Sequence, residues 1–141
     1  MEVVDFSAIE KRIKIVRDIF LEGMMLRNKL FDENNESQYV EVEHLKFLVG
    51  ALFHLIFDVE FERTCYNEAH AAMSLEERNE ADKRLRECIG HTVEVIESIE
   101  DMRQYGGFEC EGLEIFEHDC YVVLKDLKRE YQKLLKKIAV E

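Results

Sequence analysis

The fifteen residues from Leu45 to Val59, LKFLVGALFHLIFDV, limit what this chain can fold into more than any other stretch. On a helix of 3.6 residues per turn, Leu45, Leu48, Leu52, Leu55 and Val59 form an unbroken apolar seam. Lys46, Gly50, His54 and Asp58 fall four apart on a narrow stripe, which Glu62 extends. Phe47, Val49, Phe53, Ile56 and Phe57 fill most of the remaining circumference. A helix this apolar needs partners on several sides, which predicts either the central helix of a bundle or an oligomer interface.

The rest of the chain supplies material to cover it. Its 141 residues fit a single domain, 1–141, long enough to bury roughly two-thirds of the surface the unfolded chain exposes. With no proline and only six glycines, the chain lacks the punctuation that turn-rich β folds require, so long helices are expected.

Ser7-Ala-Ile-Glu10 has capping-box spacing and opens a first helix running from about Ala8 to Phe31. Its seam is Ile9, Ile13, Val16, Phe20, Gly23, Arg27 and Leu30. The polar segment Asp32 to Ser37 ends that helix, and a capping arrangement from Asn35 to Gln38 starts the second near Glu36. Unbroken to Ala72, the second helix would reach about 55 Å against roughly 36 to 45 Å for the others, so a kink or break near Arg63 to Tyr66, or an overhang, is expected. Ser74-Leu-Glu-Glu77 is a further capping box, and the third helix it opens carries the seam Leu85, Cys88, Thr92, Val95, Ile99 and Met102. Gly106 and Gly107 stop that helix, and Gly112 precedes a fourth with Cys120, Leu124, Leu127, Tyr131, Leu134 and Ile138 at heptad spacing. Four long amphipathic helices with short connections predict an all-α, antiparallel up-down-up-down four-helix bundle.

The formal net charge of −12 repels phosphate backbones, so nucleic acid is disfavoured and a basic protein partner is favoured. Basic residues gather at the C-terminus, from Lys125 to Lys137, where they complement the dipole of a helix that starts among Glu111, Glu114 and Glu117. The apolar run is shorter than the roughly 20 residues a membrane span requires and contains Lys46, His54 and Asp58. Cys65, Cys88, Cys110 and Cys120 form no Cys-x-x-Cys pair, and the acidic start MEVVDFSAIEKR lacks an apolar core segment. A reducing, cytoplasmic setting is expected.

Three constellations carry possible chemistry. With the turn between the second and third helices at Met73, the pairs His54/Asp58 and Glu87/His91 fall at matching heights and could face each other, with Cys88 nearby. Two imidazoles and two carboxylates suit zinc or iron. The plainer reading of each pair is a local hydrogen bond, so no cofactor is expected and a metal site at His54, Asp58, Glu87 and His91 is the alternative. Glu41-x-x-His44 has the spacing of a di-iron ligand pair but occurs once. Glu94, Glu97 and Asp101 form a row similar to the Mg²⁺-binding carboxylates of all-α nucleotide pyrophosphohydrolases. That family pairs such a row with a second one on the next helix, which this chain lacks, and a solvated helix face accounts for the row.

Arg86-x-x-x-x-His91, on a long helix of a small bundle, resembles the signature of HEPN domains. The resemblance covers this motif and the helical build. It implies a metal-independent ribonuclease, usually dimeric, in which Arg86 would stabilise the phosphate and His91 would move a proton at the ribose hydroxyl or the leaving oxygen. The leading reading is a non-enzymatic, acidic helical-bundle protein, a homodimer that binds a protein partner as an adaptor, antitoxin or inhibitor would.

Overall fold

The computed structural model describes residues 6–33, 39–103, 108 and 112–138. They form four helices: α1 (Ser7–Glu33), α2 (Tyr39–Ala71), α3 (Leu75–Asp101) and α4 (Leu113–Ile138). Each of α1 and α3 packs against both α2 and α4, and α2 meets α4 more weakly across the diagonal. This is the expected four-helix bundle, with the chain running alternately up and down around a square.

Local chemistry sets the helix starts. The amides of Ile9 and Glu10 donate to the Phe6 carbonyl at 3.1 and 3.2 Å, so α1 begins one residue ahead of the Ser7 cap the sequence suggests. At α3 the serine half of the capping box forms, the Glu77 amide donating to Ser74 Oγ at 3.1 Å, while Glu77 Oε2 reaches one residue farther back to accept the Met73 amide at 3.1 Å. Gly112 holds φ at +91°, a conformation that favours glycine, and its carbonyl receives the first amide of α4, from Phe116, at 2.9 Å. The expected cap at Asn35 and the Gly106-Gly107 stop lie outside the described residues.

The core follows the seams of α1, α2 and α4 closely. All five residues of the α2 seam are buried, as is the α4 seam except for half-buried Ile138. Gly23 belongs to the α1 seam because a Cβ there would sit 2.6 Å from the Phe116 ring and 2.8 Å from Val49. It lets α1 approach both neighbours closely. On α3 the expected seam needs correction: Leu85, Thr92 and Ile99 are buried, but Cys88 and Val95 are half-buried and Met102 is exposed. Ile89, Val93 and Ile96 take their places. Met102 leaves the seam because it is the C-cap residue, already outside helical dihedrals.

Two expectations about α2 are also corrected. The helix runs through Arg63 to Tyr66 without a break, for about 50 Å over its 33 residues. Its last turns are held in place: Cys65 and Ala69 are buried, and Phe6 stacks on Tyr66 with ring centroids 5.0 Å apart. Nor is α2 the central helix of the bundle: it occupies one corner, meeting α4 only across the diagonal. It has α1 and α3 on its flanks, and Phe53, Phe57 and Phe61 face outward. No helix among the described residues is long and apolar enough to cross a membrane.

Candidate functional site

Phe53, Phe57 and Phe61 stand four apart, so their side chains stack along one strip of α2, and they are 58, 69 and 56% exposed. Phe20 of α1 borders the strip, 5.8 Å from the Phe53 ring. Gly50 continues it toward the start of the helix, with open space where a Cβ would stand. The charges beside it are already matched: Arg17 meets Glu60 at 3.1 Å, and Arg63 contacts both Glu60 and Glu10. Burying the strip would therefore remove apolar area from water without stranding a lone charge. On the α3 side, a groove of about 550 Å³ runs beside α2, with Phe47, Ala51, Val95, Ile99 and Met102 on its walls.

Comparison with known protein families, curated protein sequences and solved structures finds no match. The reading of this surface rests on its own geometry.

The residues singled out for chemistry are spread apart. His54 Nε2 lies 3.1 Å from Asp58 Oδ2, the local pairing expected of residues four apart. The cross-pairs Glu62 with Thr92 and Glu68 with Arg84 fix the α2/α3 register and place His91 near the level of Glu62, a turn or more from His54. His54 instead borders the α2/α3 groove beside Val95 and Ile99. Glu87 and His91 are exposed. Among the described residues no three His, Cys, Asp or Glu side chains gather closely enough to hold a metal ion. Arg86 donates from Nη1 to the carbonyl of Ile138 at 3.2 Å, at the end of α4.

Two polar clusters that the sequence reading missed lie inside the bundle. His44 Nε2 is 2.8 Å from Glu117 Oε2, both side chains buried, joining the start of α2 to that of α4, and Phe108 stacks on the imidazole at 5.7 Å. Farther along α2, Tyr131 donates to Glu62 Oε2 and Thr92 lies against Oε1, each at 2.5 Å. Burial, with Asp58 adding to it, raises the Glu62 carboxyl to about 7 despite those two hydroxyls. Thr92 Oγ also lies 3.1 Å from the Cys88 carbonyl. A hydroxyl has one proton, so a protonated Glu62 completes the chain by donating to Thr92, which donates to Cys88. Neighbouring Cys65 and Cys88 are held as thiols, burial raising both and Cys88 to about 11. Neither is poised as a nucleophile.

Proposed function

We propose that this chain is a non-enzymatic, acidic binding protein of the adaptor, antitoxin or inhibitor kind, cytoplasmic and homodimeric, which takes a protein partner on the aromatic strip of α2. The observation that carries the reading is the exposure of Phe53, Phe57 and Phe61 in a row. Rigid aromatic side chains with two rotatable bonds make strong interface anchors at small entropic cost, and residues of this kind are where binding energy concentrates. A partner with an apolar ridge fits the strip, and basic residues around that ridge would gain from the net charge of −12.

The test is quantitative affinity capture from cell extract with wild-type chain and with Phe57→Asp. Proteins specific to the strip should be retained by the wild type and lost by the variant, an effect of about 2 kcal/mol or more, roughly 30-fold in affinity. Retention should also weaken as ionic strength rises. Capture of the same proteins by both chains would remove the strip as the binding site.

A further inference from the structure

We infer that the α1/α4 face pairs two copies of this chain about a two-fold axis. The inference rests on the homodimer in the reading above and adds the surface that makes it. The helices α1 and α4 run antiparallel, with Arg12 at Asp126 toward one end and Gly23 against Phe116 toward the other. Between those points lies an open groove of about 600 Å³ with Ile15, Ile19, Val122 and Val123 along it. Ile15 and Val122 are half-exposed in the single chain.

Charge on this face is sorted by position. Asp18, Glu22 and Asp119 all stand on the Gly23 side of Val122, and none of the three makes an ion pair among the described residues. Lys125 and Arg129 stand toward the Arg12 end. Asp126, in the same place, is held by Arg12 at 2.9 Å and meets Arg129 at 3.7 Å, so this end keeps Lys125 and a shared Arg129 as its outward cations.

An interface between identical copies must be complementary to itself, because each residue meets whatever the two-fold axis brings opposite it. Turned by half a revolution about an axis at the level of Val122, this face lays its apolar middle on the same apolar middle. The acidic end, with Asp18, Glu22 and Asp119, then lies toward the cationic end of the other copy, with Asp119 level with Lys125, twice. A uniformly basic partner would fit one end and be repelled by the other, so the sorted charges select a second copy. Two helices side by side, about 40 Å long and about 20 Å across, offer roughly 800 Å² per copy, the size of a specific interface. The aromatic strip of α2 lies outside this face and stays open.

Sedimentation of the full chain at micromolar concentration tests the inference. The wild type is expected to be a dimer. Glu22→Lys with Asp119→Lys reverses the acidic end, and Lys125→Glu with Arg129→Glu reverses the basic end; each chain alone should dimerise at least ten-fold more weakly. Mixed in equal amounts, the two should form a heterodimer. A chain carrying all four changes keeps the same net charge and should recover the homodimer. Helical content by circular dichroism confirms folding of each variant, and heterodimer formation confirms it independently. A wild type that stays monomeric, half-changed chains that dimerise like the wild type, or a dimer abolished by Phe57→Asp would each overturn the inference. Partner capture through Phe57 is read separately, so the two readings fail on different measurements.

Discussion

Glu117 and Glu62 are sealed from water to the same degree, 2 and 1% exposed, yet the bundle accommodates them by opposite means. Near the start of α4, Glu117 Oε2 faces the imidazole Nε2 of His44 at 2.8 Å. Farther along the bundle, Glu62 is met by two neutral hydroxyls, from Thr92 and Tyr131, and has Asp58 as a nearby like charge. The first arrangement joins α2 to α4 across the diagonal where the helices otherwise touch least. The second links α2 to α3 and α4 but satisfies the carboxyl best when it carries its own proton. The His44–Glu117 contact ties two helices together, while the carboxyl buried among hydroxyls, with Asp58 nearby, is raised to about 7 and makes stability sensitive to pH.

Removing the imidazole should break this contrast most severely. His44→Ala leaves Glu117 buried beside an empty space and also deletes the ring that stacks on Phe108. The expected loss is about 3 to 5 kcal/mol of unfolding free energy by urea titration, the range for breaking one side of a buried pair. Adding Glu117→Gln should recover part of it, since a neutral amide is easier to bury than a carboxylate that has lost its imidazole. A loss below about 1 kcal/mol for His44→Ala would mean that Glu117 does not depend on the imidazole.

What the sequence disclosed about these clusters follows from helix geometry. The α4 seam was legible because its apolar residues contrast with polar ones at every other angle, and Ser74 because its box is local. The α2 run offers no such contrast: apolar residues all round define a helix but not which side turns inward, so the sequence left open whether Phe53 and Phe57 face the bundle or an outer surface, and in the single chain they are exposed. Glu62 was misread for a countable reason. Steps of four residues advance about 40° beyond a full turn, so the stripe that begins at Lys46 has turned by about 160° when it reaches Glu62, from solvent to interior. His44 was visible only as half of a Glu-x-x-His pair, and no local pattern could name Glu117, 73 residues away, as its partner. The supposed meeting of His54 and His91 depended on register across a turn, which the packing of Glu62 on Thr92 sets.

Glu62→Gln sharpens the comparison by fixing the proton-bearing state. The folded protein holds the Glu62 proton to about pH 7 while the unfolded chain releases it near 4.5. Wild-type stability should therefore fall as pH rises through that window and level off above it, by about 3 kcal/mol at most. Glutamine keeps an acceptor for Tyr131 and a donor for Thr92, so the variant should be flatter with pH and more stable than wild type at pH 8, the two converging near pH 5. Parallel stability profiles for the two chains would show that Glu62 does not titrate in this range.

The smallest change tests which hydroxyl matters once the proton is gone. Tyr131→Phe preserves the ring, fully buried in the α4 seam, and deletes only the donor to Glu62 Oε2. Below pH 5 the carboxyl is protonated and the lost bond is a neutral one, so the cost should be about 1 kcal/mol. Above pH 8 the same oxygen carries charge in a site where Thr92 alone remains, and the cost should rise to about 2 kcal/mol, because hydrogen bonds to ionised groups are roughly twice as strong. The dependence should vanish in the Glu62→Gln background, where no charge develops. A double-mutant cycle run at both pH values reads this directly, and a coupling between Glu62 and Tyr131 that does not grow with pH would show that the hydroxyl packs beside the carboxyl without stabilising its charge.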